Sequence, residues 1–116
     1  MKYLLILNDP PYGTERSYNG LRLANRLAKM EGNAVSVFLM GDAAACAASD
    51  QVTPAGYYNI ERMLKILAAR GGKIGVCGTC MDGRGLKAEA LTEGAQRSTL
   101  DELAAWTQDA DRVIVF

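Results

Sequence analysis

Residues 73–85 read KIGVCGTCMDGRG, a short apolar run that leads into two of the chain's three cysteines and then into glycines. The length of the apolar run predicts a buried strand over residues 73–76. The glycines that follow let the backbone turn sharply and approach a bound group closely. In an open parallel sheet, ligands and reactive groups collect at the carboxyl ends of the strands. Cys77 is therefore predicted to lie at that edge, which makes sulfur chemistry the first function to test.

Outward from this stretch the chain alternates between strand and helix patterns. The other strands are predicted over residues 3–7, 35–40, 94–97 and 112–116. Helices are predicted over residues 14–30 with Thr14 as N-cap, over residues 43–48, from Ile60 to the stop at Gly71, and after an N-cap at Ser98, with Leu100, Leu103, Ala104 and Thr107 on one face. Continuous apolar runs such as residues 3–7 are typical of parallel strands that are buried on both faces. The alternation predicts an α/β fold with a parallel five-stranded sheet flanked by helices.

Length and composition limit the size of the protein and its partners. A chain of 116 residues with 49% hydrophobic residues fits one domain over residues 1–116. The 13 Lys and Arg residues balance 13 Asp and Glu residues, and no dense basic cluster predicts a nucleic-acid partner. Zero net charge also leaves little self-repulsion between copies, which favours association.

The apolar segments are shorter than the roughly 20 residues of a membrane span. The first residues, MKYLLILNDP, reach charge and proline too soon for a signal peptide. No membrane association is expected, and the expected compartment is the cytoplasm, where three cysteines are more often thiols than a disulfide framework.

The two clustered cysteines have distinct candidate roles. A thiolate at Cys77 would be a nucleophile, and loop amides together with a folded-back Arg84 would favour that ionised form. The alternative is that Cys77 ends a buried strand as a small apolar residue. Cys80 could resolve a modified Cys77 by forming a disulfide, share its role or be a bystander. Cys46, within an alanine-rich segment, is predicted to be a packed small residue.

Several other kinds of site are excluded or disfavoured. The chain has no histidine, which removes Ser-His and Cys-His pairs and any His-containing zinc site. One Cys-x-x-Cys pair supplies only two of the four ligands of structural zinc, so no metal is predicted. Pro10 and Pro11 remove amide donors from the loop after the first strand, and the loop 78–85 lacks the ending of a P-loop. Binding of a flavin or nucleotide is therefore not favoured, and no cofactor is predicted.

Other polar and aromatic residues are expected near the sheet edge that carries Cys77. The substrate-binding candidates are Tyr12, Thr14, Gly78 and Arg84, with Tyr12 as a lid over the cysteine pocket or as simple loop packing. Asp9 and Asp82 are interpreted as turn-capping residues. Trp106 is predicted to pack its helix or to form an oligomer contact.

Three segments together resemble the DsrE/DsrF-like proteins. They are residues 11–14 (PYGT), the cysteine loop that ends at Arg84 and Gly85, and Leu103-Ala104 followed by residues 111–116 (DRVIVF). The CGTC form of residues 77–80 is similar to the YchN-like branch of that family. The resemblance implies a flavodoxin-like three-layer fold and cytoplasmic homo-oligomers, either trimers or hexamers.

The same resemblance implies a function in sulfur relay. In the TusD-type members a cysteine carries sulfane sulfur as a persulfide, and Cys77 stands at the matching position, whereas those members generally lack a cysteine at the position of Cys80. The implied partners are sulfur donor and acceptor proteins, and the enzyme class would be a sulfurtransferase or sulfur carrier. The alternative is a non-catalytic homo-oligomer that binds a small ligand or a partner through a redox-active Cys-x-x-Cys loop. In an oligomer, residues 43–58 of one subunit are expected to wall the Cys77 pocket of a neighbour.

Overall fold

The computed structural model describes residues 1–116 and contains one sheet of five parallel strands. The strands are β1 (Lys2–Leu7), β2 (Ala34–Leu39), β3 (Lys73–Cys77), β4 (Ala95–Ser98) and β5 (Arg112–Val115). They are ordered β4-β3-β2-β1-β5. The predicted α/β class with a five-stranded parallel sheet flanked by helices is confirmed. The strand order differs from the 2-1-3-4-5 order of flavodoxin itself, because three successive connections here step in one direction and only the last returns past β1.

Four α-helices connect the strands, with two short 3-10 segments. The helices are α1 (Arg16–Ala28), α2 (Ile60–Ala69), α3 (Gly78–Asp82) and α4 (Leu100–Asp109), and the 3-10 segments are Gly41–Ala47 and Ala88–Ala90. The sequence pattern missed α3, because its five residues are too few to show a helical period and include a glycine. Cys77 is therefore followed by a helical turn where an open loop was expected.

Two predicted helix caps are wrong by one residue. Glu15, not Thr14, is the N-cap of α1, and the Thr14 hydroxyl instead donates a hydrogen bond of 2.8 Å to the Asp9 carboxylate. Thr99, not Ser98, caps α4, because Ser98 is still the last residue of β4. In both places the hydroxyl group that was predicted to cap the helix instead donates a hydrogen bond to a nearby carboxylate, that of Asp9 for Thr14 and that of Glu102 for Ser98.

Alternate residues of the strands point to opposite faces of the sheet, and each face has its own core. Leu5, Val37 and Val76 belong to the larger core, which α1 and α2 cover. Leu4, Phe38 and Cys77 belong to a smaller core with Leu103 of α4. The Cys77 side chain thus lies on the face that a single helix covers.

Helix α4 lies close to the sheet at Gly75. A β-carbon there would stand 2.9 Å from the Phe38 ring and 3.2 Å from Trp106, so only glycine leaves room for this contact. Trp106 meets the edge of Phe38 at a centroid distance of 5.9 Å, in agreement with its predicted helix packing.

Of the α4 face predicted to pack, only Leu103 is buried. Leu100 is 70% exposed, and Ala104 and Thr107 are also exposed, so the prediction is wrong for these three residues.

The alanine-rich segment packs inside its own chain. Ala43, Ala44, Cys46 and Ala47 are fully buried in the larger core, so this part of residues 43–58 is not available to wall the pocket of a neighbouring subunit. Beyond them, Gln51 anchors the following loop by donating hydrogen bonds to the carbonyls of Cys46 and Ala48.

The loop that follows Gln51 nevertheless exposes two large apolar side chains, because the loop is held by the hydrogen bonds of Gln51 and not by packing of those side chains. Val52 is 95% exposed and Tyr57 is 59% exposed. No helix in the structure is both long enough and apolar enough to cross a lipid bilayer.

Candidate functional site

The site is centred on Cys77, where β3 ends and α3 begins. Strand alternation turns this side chain toward the α4 face, and the helical turn that follows directs a backbone amide back at it. The Cys77 sulfur accepts a hydrogen bond from the Cys80 amide at 3.4 Å. It also lies 3.3 Å from the Thr79 hydroxyl. Cys77 is only 9% exposed, so these contacts replace much of its hydration.

Cys80 lies one helical turn further and contacts a different part of the sheet edge. Its sulfur accepts a hydrogen bond of 3.1 Å from the amide of Gly41, the residue that begins the 3-10 segment after β2. Its side chain also interacts with the sulfur of Cys77. The two thiols are therefore neighbours, as predicted, and all three cysteines of the chain are free.

The surroundings of the two sulfurs shift the pKa values of the two thiols in opposite directions. Burial alone would raise the pKa of Cys77, but hydrogen bonds from the side chains and amides of Cys80 and Thr79 outweigh it and lower that pKa. Burial, followed by the hydrogen bond that it makes to Cys77, raises the pKa of Cys80. Cys77 is thus the more acidic thiol of the pair. A thiolate is the reactive form in both sulfur transfer and disulfide exchange.

A pocket of about 390 Å³ opens over the Cys77 sulfur. Its lining consists of the turn after β3, three apolar residues and three polar residues: Cys77, Gly78, Thr79 and Cys80; Phe38, Met40 and Leu100; and Arg97, Ser98 and Thr99. The volume is within the range of small-molecule sites. A small ligand or a short protruding side chain of a partner can therefore reach the sulfur.

Arg97 is the only charged residue in this lining, and sequence reasoning did not single it out. It lies in β4, next to the cysteine strand, and its guanidinium donates hydrogen bonds of 2.8 and 3.0 Å to the two oxygens of Asp82. The guanidinium lies against Gly78, where a β-carbon would come within 2.9 Å of it. The sequence feature that could have indicated Arg97 is a basic residue near the carboxyl end of the strand predicted over residues 94–97.

Arg84 faces Cys80 and the loop after β2. Its guanidinium donates a hydrogen bond of 2.7 Å to Asp42 and another of 3.1 Å to the Cys80 carbonyl. Its positive charge helps to lower the pKa of Cys80, against the larger effects of burial and of Cys77. The structure thus brings Arg84 close to the cysteine pair, although it does not line the Cys77 pocket.

Tyr12 and Thr14 lie outside the Cys77 pocket of their own chain. The Tyr12 hydroxyl donates a hydrogen bond of 2.6 Å to Gln51 and accepts one of 3.1 Å from the Ile60 amide. These contacts correspond to loop packing, the second of the two predicted roles of Tyr12. Thr14 is exposed beside Asp9, and no role in binding follows from its contacts.

No group of three or more metal-ligating side chains converges in the structure. Cys46 lies apart from the pair, fully buried, and burial raises the pKa of its thiol to about 12. This agrees with its prediction as a packed residue. The chemistry that the site can support is that of a thiolate with an adjacent thiol.

The chain as a whole is similar to known proteins. A model of the DsrE/DsrF-like family matches residues 1–116. Protein YchN of Escherichia coli strain K12 is 42% identical over 116 residues, which cover 99% of this chain and 98% of that protein. An uncharacterized protein of Methanocaldococcus jannaschii is 38% identical over 116 residues, which cover 100% of both chains.

Solved structures agree with the architecture described above. The crystal structure of the YchN protein from Escherichia coli superimposes with a TM-score of 0.91 at 41% identity, covering 100% of both chains. A protein of unknown function from Methanobacterium thermoautotrophicum superimposes with a TM-score of 0.77 at 13% identity, covering 99% of this chain and 98% of that one. The second similarity concerns the fold alone.

Proposed function

Because this chain belongs to the DsrE/DsrF-like family, which is related to sulfur relay, we propose that it carries sulfane sulfur as a persulfide on Cys77 and passes it to an acceptor thiol. The observation that carries this proposal is the position of the Cys77 sulfur, which lies at the base of a pocket and accepts the Cys80 amide at 3.4 Å. The hydrogen bonds that lower the pKa of Cys77 supply the nucleophile that sulfur transfer needs.

In the loading step, the Cys77 thiolate attacks the outer sulfur of a donor persulfide, R–S–SH. A bond forms between Sγ and that sulfur while the S–S bond of the donor breaks, and the electron pair leaves with the donor as the thiolate RS⁻. The proton stays on the transferred sulfur, so the product is Cys77–S–SH. In unloading, an acceptor thiolate attacks the outer sulfur in the same way, and Cys77 is regenerated as a thiolate.

Cys80 offers a second route by which sulfur can leave Cys77. Once deprotonated, its sulfur can attack Sγ of the Cys77 persulfide, which forms the Cys77–Cys80 disulfide and expels hydrosulfide, HS⁻. Burial, which raises the pKa of Cys80, disfavours the thiolate that this route requires. A cellular dithiol would then have to reduce the disulfide before another cycle.

The expected partners are sulfur donor and acceptor proteins, together with further copies of the same chain in a trimer or hexamer. The pocket favours a partner that presents a persulfide or a thiol on a slender protruding segment, because Cys77 is mostly buried at its base. The expected compartment is the cytoplasm, where free thiols persist.

Intact-mass measurement after incubation with inorganic polysulfide tests the proposal. The wild-type protein should gain the mass of one sulfur atom, and dithiothreitol should remove it. Cys77→Ser should abolish the gain. Cys46→Ser is the matched control and should load like the wild type, because Cys46 is fully buried away from the pocket.

Equal sulfur loading of Cys77→Ser and the wild type would overturn the assignment of Cys77. If neither protein gains mass under any loading condition, the non-catalytic binding protein becomes the better interpretation.

A further inference from the structure

We propose that Arg97 is the counter-cation of the Cys77 pocket, which stabilises the sulfur anion on Cys77 and makes the pocket favour anionic reactants over neutral ones. The identity of that anion as a persulfide rests on the proposed function, whereas the charge preference does not. The substrate class this assigns to the pocket is that of sulfane-sulfur anions, such as inorganic polysulfide and deprotonated persulfides.

The position of the guanidinium supports this role. Arg97 lines the same pocket as Cys77, and its guanidinium lies against Gly78, the residue after Cys77 in the chain. The two hydrogen bonds to Asp82 involve Nη1 and Nη2, one each. Because a guanidinium has five N–H donors, it retains donors for a ligand in the pocket. The absence of a side chain at Gly78 is what allows the group to approach so closely.

The loaded state needs a cation more than the free thiolate does. In the unloaded protein the Cys80 amide and the Thr79 hydroxyl stabilise a charge on Sγ. A persulfide places the charge on the outer sulfur, about 2.05 Å from Sγ. Persulfides are more acidic than thiols, so the loaded group is an anion at neutral pH. That outer sulfur extends toward the pocket, where Arg97 is the only cation in the lining.

The apolar residues of the lining strengthen the effect. Phe38, Met40 and Leu100 add apolar surface to the lining of the same pocket, and Phe38 is fully buried. A charge interaction is stronger where water is excluded, because the local dielectric is lower. Chloride and other solutes still reach the pocket, so the interaction should depend on salt.

Several charged or titratable groups surround Cys77 and set the background for any pH measurement. They are Cys80 and Asp82 on α3, Arg97 on β4, Arg84 after α3, Asp42 after β2, and Glu102 of α4, which accepts a hydrogen bond from Ser98. Asp82 offsets part of the charge of Arg97. The guanidinium therefore acts mainly through its position at the pocket rather than through a net charge of the region.

The competing explanation is that the Arg97–Asp82 pair has a purely structural role, because this ion pair connects β4 to α3. Both side chains are largely exposed, at 45% and 64%. Exposed ion pairs contribute little to stability. The test therefore needs a readout that a tie between two elements would not change.

The experiment compares alkylation of Cys77 by iodoacetate, an anion, and by iodoacetamide, its neutral analogue of similar size, with rates taken from peptide mapping. For Arg97→Gln we expect the ratio of iodoacetate to iodoacetamide rates to fall about two- to five-fold relative to the wild type. The pH midpoint of iodoacetamide alkylation should rise. Arg97→Lys should retain most of the ratio because it retains the charge. Arg62→Gln is the matched control and should leave the ratio unchanged, because Arg62 is an exposed residue of α2, the helix that covers the other face of the sheet.

An unchanged ratio in Arg97→Gln, or an equal fall in Arg97→Lys, would overturn the proposal in favour of a structural role. If Arg97→Gln does not fold, the salt dependence of the wild-type ratio is the test. A ratio that falls in high salt toward that of a free thiol supports the proposal, and a ratio that does not depend on salt contradicts it. Alkylation requires no sulfur loading. A protein that never forms the persulfide would thus overturn the proposed function while leaving the charge preference to stand or fall on these rates.

Discussion

At the scale of single residues, the three cysteines show how one side chain acquires three chemistries from its surroundings. Hydrogen bonds lower the pKa of Cys77, and burial together with its hydrogen bond to Cys77 raises the pKa of Cys80. Cys46 has no such compensation, and burial raises the pKa of its thiol to about 12. Only Cys77 therefore combines a lowered thiol pKa with a place in the lining of the pocket.

Cys46 should make the protein sensitive to alkaline pH. Its thiol has an ordinary pKa of 9.0 when unfolded and about 12 when folded. Below pH 9 both states hold the proton, so Cys46 has no effect. Above pH 9 the unfolded state loses its proton first, which favours unfolding by about 1.4 kcal/mol per pH unit.

Cys46→Ala should reduce this alkaline loss of stability. Between pH 8 and pH 10.5 the wild type should lose about 2 kcal/mol more unfolding free energy than the variant, measured by urea titration. Any cavity left by the missing sulfur costs the same at both pH values and cancels from the comparison. Parallel pH dependence in the two proteins would contradict the assignment.

At the scale of elements, the turn from β3 into α3 decides what the cysteine pair can do. Cys77 caps the helix and Cys80 follows one turn later, so both sulfurs lie on the same side of the turn. The first turn of a helix is also a place where three-residue spacing brings side chains together. The pair is therefore poised for a disulfide as well as for a hydrogen bond.

Mild oxidation should link Cys77 to Cys80. The spacing allows the separation of roughly 4.4–6.8 Å between Cα atoms that a disulfide requires, and the Cys80 sulfur would have to leave its hydrogen bond to the Gly41 amide. Peptide mapping after treatment with oxidised glutathione should find the linked pair. Cys80→Ser is the control and should give no internal disulfide.

Two free thiols after oxidation, or a bond to Cys46, would remove the resolving role of Cys80. Neither result would affect sulfur carriage by Cys77.

The contact between α4 and β3 makes a separate prediction about stability. Gly75→Ala would place a methyl group 2.9 Å from the Phe38 ring, and overpacking of this kind costs about 1–3 kcal/mol. The emission of Trp106, the single tryptophan, should change with it, because its ring lies 3.2 Å from the same position. Urea unfolding and fluorescence measure the two effects.

Gly83→Ala is the matched control for Gly75→Ala. Gly83 has a helical φ of −64°, and a β-carbon there would meet its nearest atom at an ordinary 3.6 Å. We expect its stability to stay close to that of the wild type. Equal stabilities of the two alanine variants would contradict the close-packing argument.

At the scale of the whole molecule, the uneven cover of the sheet favours association. Two helices cover one face, whereas α4 alone covers the other and leaves Val113 and Val115 of β5 exposed. Val52 and Tyr57 add exposed apolar surface in the loop after the 3-10 segment. A monomer with these residues in water would gain free energy by burying them against another copy.

We expect the protein to be a trimer or hexamer at micromolar concentration, with the loop 51–58 of one subunit close to the Cys77 pocket of another. Light scattering measures the mass. Val52→Asp should shift the protein toward smaller species and speed the alkylation of Cys77, because it places a charge in an apolar contact. Ile66→Asp, on the exposed side of α2, is the comparison variant.

A monomeric wild type would contradict the assembly. An oligomer in which Val52→Asp leaves both mass and alkylation unchanged would place the contact elsewhere.

The sequence by itself determined the architecture and the centre of the site. Apolar runs of strand length, separated by amphipathic helical patterns, are sufficient to specify a parallel α/β sheet, because each element must bury its apolar face against the next. The run before Cys77 placed that residue at a carboxyl edge of the sheet, and the structure has it at the end of β3. These inferences depend on local pattern and on general rules of packing, which is why they needed no coordinates.

Only the tertiary structure decided which charges and thiols meet at that edge. Arg97 reaches the pocket because β4 pairs with β3, and Arg84 turns to Asp42 and the Cys80 carbonyl because of the path of the chain after α3. Likewise, the alanine-rich segment proved to be internal because it packs against α2 and the sheet. Such contacts join residues far apart in the chain, and their geometry depends on the packing of whole elements rather than on any local pattern.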